Sequence, residues 1–345
     1  MPPTARDRAL VLRHGWNATA AQALNPSLRR WRADGALVAY ADARRWPAGP
    51  RVRVAAGEPI CAPGELARVA RAFEADGPPV LWFGASGRFA KALQPAADLV
   101  VGAQPVWAPP AWPGVLARTA SLRAQVNRAA NKGVRVREAE PVGAAREQME
   151  AVRRAWLATR GLPSLHFLVE TDVLAAPGLR RFFVAEQASR LVAFLTLLPV
   201  PARSGHFVEW ILRRPDAPNG TPALLLDAAF RAVTGSRMLT LGMVPLSTHA
   251  PLSAAAPPLH VRALLAWVRA HARRFYDFEG LERFKGKFRP AAWEPLHLVA
   301  TRGRVGLGEL HAVADAFAGR RSPERLVARA LASAVAEEAR ALTGR

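Results

Sequence analysis

The chain has 345 residues, of which 50% are hydrophobic and 22% charged, a mixture that excludes a disordered polypeptide and has room for two ordinary domains. A single cysteine, Cys61, excludes an intrachain disulfide and a Cys-cluster zinc site and fits a reducing compartment. The formal net charge of +21 points to polyanionic partners such as tRNA, DNA or anionic lipid headgroups, without choosing among them.

The first residues, Met1-Pro2-Pro3-Thr4-Ala5-Arg6-Asp7-Arg8, lead into only a short apolar patch, so no signal peptide is expected. From Leu10 to Arg118 the chain reads as mixed α and β. Leu37–Tyr40 and Val80–Phe83 look like short buried strands bounded by Gly and Pro turns. Between them, Ala62–Phe73 has helical spacing, with Leu66, Val69, Ala70 and Phe73 on one face. The Pro- and Trp-rich stretch Pro105–Pro113 is expected to stay extended, because each proline restricts its own φ and its predecessor. A domain boundary is placed just after it. The predicted units are 1–115, 116–302 and a helical extension over 303–345.

Leu116–Lys132 then reads as a basic helix carrying Arg118, Arg123, Arg128 and Lys132. Gly133 is a suitable C-terminal stop, since it accepts positive φ while cations suit the carbonyl end. Its charges fit either a solvated face or a surface that tracks phosphates. The pattern continues as helix Val142–Arg160, helix Leu179–Ser189, strand Leu191–Pro199 and strand His206–Leu212. Helix Pro222–Val233, strand Met238–Gly242, helix Leu259–Arg274, strand Phe275–Phe278, a helical turn and strand Leu296–Thr301 follow. Ser322-Pro323-Glu324 opens a last amphipathic helix, with Ser as N-cap and Pro at the first helical position. Strands alternating with helices argue for an α/β domain around a central sheet. The longest strongly apolar stretch, Leu191–Val200, is about half of the ~20 residues a spanning helix needs, so the chain reads as soluble or peripheral.

Three segments could carry chemistry. The loop Arg213-Arg214-Pro215-Asp216-Ala217-Pro218-Asn219-Gly220-Thr221 links a strand to a helix, where free N–H groups, the helix dipole and two arginines suit an anion or an oxyanion. Strand Leu239–Leu241 runs into Gly242 and a Gly/Pro turn, which permits close backbone approach at a cleft edge. The third holds two of the chain's four lysines, Lys285 and Lys287, within Arg283-Phe284-Lys285-Gly286-Lys287-Phe288-Arg289-Pro290. In a chain that otherwise writes positive charge as arginine, lysine suggests that a compact ammonium is wanted. If extended, this stretch aligns Lys285, Lys287 and Arg289 opposite Phe284 and Phe288. If helical, the lysines diverge and the phenylalanines pair at i,i+4. Among the eight histidines there is no metal-ligand spacing, and neither a Gly-x-Ser-x-Gly elbow nor a phosphate-binding Walker loop occurs.

In order and spacing, Ala217-Pro218-Asn219-Gly220, Leu241-Gly242-Met243-Val244-Pro245-Leu246 and Gly280 to Pro295 resemble the catalytic domain of bacterial phosphatidylglycerol lysyltransferases. The Arg123–Gly133 helix and His14-Gly15-Trp16-Asn17 resemble the soluble branch of that family, and the likeness spans roughly residues 10–302. It implies an α/β architecture of tandem acetyltransferase-like (GNAT) domains, each with a mixed sheet flanked by helices. It also implies aminoacyl transfer from aminoacyl-tRNA to a lipid hydroxyl, with no further cofactor and no metal, at the cytoplasmic face of the membrane. On this resemblance Glu209 is the expected base or amine-binding carboxylate. Arg213, Lys285 and Lys287 are expected to stabilise charge and contact the terminal phosphate. Arg214, Asn219, Gly220, Thr221, Gly242, Tyr276, Glu279 and Trp293 are expected to contact substrate, and Arg123, Arg128 and Lys132 to bind tRNA. The chain departs from the pattern at Trp210, where lipid-modifying members typically carry aspartate, and at His297, where they carry tyrosine. The alternatives are a CoA-dependent acyltransferase of the same fold and an inactive tRNA- or membrane-binding relative.

Overall fold

The structure, a computed structural model, describes residues 2–159, 165–250, 258–271, 277–319 and 322–325. Among the described residues twelve strands share one sheet: β1 (Arg29–Ala33), β2 (Ala36–Arg44), β3 (Arg51–Ala56), β4 (Val80–Ser86), β5 (Ala97–Trp107), β6 (Arg135–Glu138), β7 (Arg181–Gln187), β8 (Arg190–Val200), β9 (Gly205–Arg213), β10 (Met238–Thr240), β11 (Val244–Pro245) and β12 (Ala292–Ala300). The helices are α1 (Ala5–His14), α2 (Leu66–Ala75), α3 (Gly87–Leu93), α4 (Trp112–Arg118), α5 (Ala120–Asn131), α6 (Gly143–Ala158), α7 (Thr221–Ala232), α8 (Leu259–His271), α9 (Phe278–Gly286) and α10 (Leu307–Ala318).

Across the sheet the order is β1-β2-β3-β4-β12-β5-β10-β9-β8-β7-β6, with β11 against β5. Each end is an antiparallel meander that closes on a parallel pair, β3 with β4 and β9 with β10. A helical crossover joins each pair, α2 in the first half and α7 in the second, as parallel strands require. The two ends thus repeat one plan, and the architecture is the tandem acetyltransferase-like α/β fold. At the centre the halves exchange strands. β12 pairs with β4, and β5 pairs with β10, so the sheet is continuous across residue 115.

One face of the sheet, here the inner face, carries a core drawn from both halves, including Leu37, Val54, Phe83, Val101, Leu198, Phe207 and Leu298. The 3₁₀ segment Ala18–Leu24 lies on it and contributes Ala18, Ala20, Ala21 and Ala23. On the other face, α2 and α3 cover the first half through Leu66, Val69, Ala70, Phe73 and Phe89. There α5 and α7 cover the second half through Leu122, Val126, Leu226 and Phe230.

Several sequence expectations are corrected. The segment expected as helix Leu179–Ser189 is strand β7, whose Phe182 and Val184 enter one core while Phe183 and Ala185 enter another. Burial on both sides produces a continuous apolar run in which strand and helix periods cannot be told apart. Pro105–Trp107 form the end of β5. The rest of the expected extended connector turns into a 3₁₀ step and α4, because Trp112 is drawn onto Phe230, stacked at 4.0 Å between centroids. The basic helix is interrupted at Thr119 (φ −109°, ψ 87°), and Arg123 returns to bind the carbonyls of Leu116 and Ala117. Phe278, expected to end a strand, instead opens α9, with the Asp277 carboxylate accepting from the Gly280 N–H. Tyr276 and the body of the helix expected after Ser322 lie outside the described residues.

Candidate active site

β9 and β10 pair in parallel only through Gly205–Phe207 and Met238–Thr240, after which they diverge. Just beyond that point β9 carries a bulge. Val208 faces Leu197 and Trp210 faces Thr196, which leaves Glu209 as the extra residue. The bulge breaks strand alternation. Val208 and Ile211 contact the core beneath α7, whereas Glu209 and Trp210 both turn to the inner face. There the Glu209 side chain, 1% exposed, is gripped by Arg180, which is 4% exposed, through bonds of 2.6 and 2.8 Å. Gln22 Nε2 donates to it at 2.9 Å and Thr196 Oγ1 at 3.3 Å. Arg180 also donates to Asn25 Oδ1 at 2.8 Å. Buried alongside, Gln22 Oε1 and Asn25 Nδ2 have no hydrogen-bond partner among the described residues. Trp210 donates to the Glu170 carbonyl at 3.0 Å and meets Trp156 edge-on.

Arg213 is paired across the ladder with Ala193, which packs beneath α7, so Arg213 belongs to the opposite face from Glu209. It is exposed. Arg214 donates from Nε to the Leu191 carbonyl at 3.0 Å. At the mouth of α7, Gly220 has φ +98°, Thr221 is fully buried with its hydroxyl on the Pro218 carbonyl, and Asn219 is exposed. A Cβ on Gly220 would overlap the Gln125 carbonyl, so α5 lies directly against this loop. Gln125 accepts from Lys287 Nζ at 3.0 Å, and that ammonium also sits over the rings of Phe284 and Phe288 at 4.5 and 4.9 Å. Gly220, Gln125 and Lys287 therefore meet, while Arg128 lies exposed further along α5 and Lys132 just past its end.

The motif from Gly280 folds as α9 and holds the turn after β10. Lys285 Nζ donates to the carbonyls of Leu241, Gly242 and Met243 at 2.6, 3.0 and 3.1 Å. Three donors meet three acceptors, which leaves none for a substrate. Burial pushes the Lys285 pKa down to about 7, and the three carbonyls oppose that by favouring the ammonium. One helical turn earlier, Glu282 accepts from Ser247 Oγ, Thr248 N and Thr248 Oγ1 at 2.6, 2.8 and 3.0 Å, and from Arg269 at 3.1 Å. Burial works against its charge, but these donors outweigh it and hold the carboxyl below its ordinary range. Gly242, at φ +71°, leaves no room for a side chain, since a Cβ would lie 2.6 Å from the Phe207 ring. Glu279 is exposed on α9, and Trp293 stacks on His249 at 4.4 Å.

A second polar group lies on the inner face near the strand exchange. Glu294 on β12 takes Arg203 at 2.6 and 2.8 Å and its ladder partner Gln104 at 2.9 Å, and Gln104 Oε1 is buried without a hydrogen-bond partner among the described residues. Trp16 lies between the guanidiniums of Arg203, at 5.5 Å, and Arg88, at 4.1 Å, and Arg88 is paired with buried Glu58. His297 pairs with Asp98 at 2.6 Å. Among the described residues no group of three or more His, Cys, Asp or Glu side chains is arranged to hold a metal.

The site residues thus fall into separate places. Lys285 joins Gly242, Lys287 joins Gly220, and Glu209 stands apart from both. Sequence reasoning missed Arg180, Gln22, Asn25, Gln104 and Glu282. Glu282 lay inside the quoted motif, but the others have no local pattern to mark them.

The model of the family described as phosphatidylglycerol lysyltransferase, C-terminal, matches residues 8–300. A crystal structure named for the C-terminal domain of a lysylphosphatidylglycerol synthetase of Agrobacterium fabrum is 22% identical, with a TM-score of 0.71 over 91% of this chain and 96% of that one. L-PGS from Bacillus licheniformis gives 0.69 at 19% identity, covering 87% and 92% of the two chains. A conserved protein of unknown function from Bacteroides thetaiotaomicron gives 0.60 at 12% identity, covering 88% and 99%. No curated protein matches the chain.

Proposed function

The chain belongs to the phosphatidylglycerol lysyltransferase C-terminal family, and from that premise we propose that it moves an aminoacyl group from aminoacyl-tRNA to a hydroxyl of a phosphatidylglycerol-like lipid at the cytoplasmic membrane surface. The observation that carries this reading is the family match over residues 8–300, which takes in all three motifs of the sequence. In the proposed step the lipid hydroxyl oxygen attacks the ester carbonyl. A new C–O bond forms, the bond to the tRNA ribose oxygen breaks, and the hydroxyl proton ends on that ribose oxygen. Positive charge at the α7 side, from Arg213 and Lys287, suits the terminal phosphate of the donor, and Arg123, Arg128 and Lys132 suit its backbone. Lys285 serves as a positioning residue that holds the Leu241–Met243 turn.

The test is aminoacyl transfer by the purified protein from a full set of charged tRNAs to phosphatidylglycerol vesicles, read by lipid mass spectrometry. Aminoacylated lipid supports the reading, and no product from any donor sinks it. The contact between Gly220 and the Gln125 backbone disfavours a CoA pyrophosphate at this junction. Thermal stabilisation by acyl-CoA but not by tRNA would reverse that preference. A non-catalytic relative draws support from Glu209 and Lys285, whose polar atoms are already partnered within the protein.

A further inference from the structure

Among the described residues six large hydrophobic side chains are exposed, and two of them, Leu259 at 78% and Trp267 at 59%, belong to α8. The opposite side of α8 is well packed, with Val261 fully buried and Leu265 against the inner-face core. Leu259, Ala263, Ala266 and Trp267 are all exposed and follow helical spacing, so they form one outward stripe. Arg262 and His260 are exposed along its borders, and no Asp or Glu occurs between Leu259 and His271. The helix is also tied to the candidate site. Arg269 donates to Glu282 at 3.1 Å and to the Leu246 carbonyl, so it joins α8 to the turn held by α9.

We infer that α8 seats the protein on an anionic bilayer, lying in the interface with Leu259 and Trp267 inserted and Arg262 among the headgroups. A Leu and a Trp exposed on a helix with only cationic charge match an apolar layer beneath a negative surface. No helix among the described residues is long and apolar enough to cross a membrane. A second copy fits less well. A two-fold contact through the stripe would bring Arg262 toward its mate between two chains that each carry a net charge of +21. The inference rests on the lipid-acceptor reading for its purpose, because it places the acceptor surface next to the α9-held turn.

The experiment is flotation of the full chain with vesicles of equimolar phosphatidylglycerol and phosphatidylcholine, and with vesicles of phosphatidylcholine alone. Wild type is expected to float with the anionic vesicles. Leu259→Asp, and separately Ala263→Glu, should weaken flotation by roughly tenfold or more with an unchanged melting temperature. Ala263→Glu removes no buried group, so it keeps the test valid if the Leu259→Asp variant folds poorly. Wild type that does not float, variants that float equally, or a wild-type dimer that the variants split on a sizing column would each overturn the inference. Transfer is measured in parallel with a short-chain soluble phosphatidylglycerol. The vesicle-to-soluble ratio should fall in the variants. If wild type makes no aminoacyl lipid in either format, the functional reading fails while flotation still decides the role of α8.

Discussion

Glu209 and Arg213, four positions apart on β9, lie on opposite faces of the sheet because the bulge at Glu209 resets the strand's alternation. Unbroken alternation would have put them side by side, as an acid and a cation of one site. The carboxylate instead locks Arg180 and the Gln22–Asn25 segment against the second half of the sheet. Glu209→Gln should therefore cost about 3–5 kcal/mol of stability, since it strands a buried guanidinium. Arg213→Ala should stay within about 0.5 kcal/mol, as exposed side chains usually do. Urea denaturation of both variants measures the contrast. Equal destabilisation would contradict the assignment of faces.

The reach and the failures of the sequence have physical causes. Short apolar runs bounded by Gly and Pro turns, such as Leu37–Tyr40 and Val80–Phe83, were readable from their boundaries, and helices with a clear stripe, such as α2 with Leu66, Val69, Ala70 and Phe73, because only one side meets the core. β7 was not, because Phe182 and Phe183 enter different cores and the period vanishes. Lys285 was legible as an unusual residue, but its contacts were not. A motif marks where a lysine sits, whereas the three carbonyls it binds come from a turn more than forty residues earlier. The bulge at Glu209 left no trace, since it arises from pairing with β8 and not from any local residue.

Gly220 and Gly133 both have positive φ, at +98° and +80°, but only Gly220 faces a neighbour. Gly133→Ala should cost about 1–2 kcal/mol from backbone strain alone. Gly220→Ala adds overlap with the Gln125 carbonyl and must push α5 from the α7 loop, so its loss should be several-fold larger. Thermal melts of the two variants compare them directly. Similar melting temperatures would show that α5 does not press on the loop.

Asp7 is fully buried and binds Arg32 at 2.7 and 2.8 Å, and Arg32 with its hydrogen bonds is the main reason its pKa falls from 3.8 to about 2. The folded value is below the unfolded one, so the stabilisation is present above pH 3.8 and disappears as pH falls toward 2. It amounts to about 2 kcal/mol. Asp7→Asn should lower stability at neutral pH by about this much and flatten the acid limb between those values. Chemical denaturation from pH 7 to pH 2 tests it, and an unchanged acid limb would count against the pair.

Lys285 gives the sharpest separation between chemistry and positioning. Its ammonium is enclosed at 7% exposure and aims all three donors at Leu241, Gly242 and Met243, so a substrate could reach it only if that turn opened. Lys285→Met keeps the length and apolar stem but leaves three carbonyls unpaired, at roughly 1 kcal/mol or more each. Lys285→Arg keeps the charge, yet a planar guanidinium cannot direct three N–H groups at one clustered set of carbonyls. Both variants should speed amide exchange across Leu241–His249, and exchange in β1 to β3 should stay as in wild type if the turn opens locally. Aminoacyl transfer should fall in both, with Arg no better than Met by more than a few-fold, because geometry and not charge is what is lost. Full rescue of transfer by arginine, or unchanged exchange across the turn in the methionine variant, would return Lys285 to a direct role at the reacting atoms.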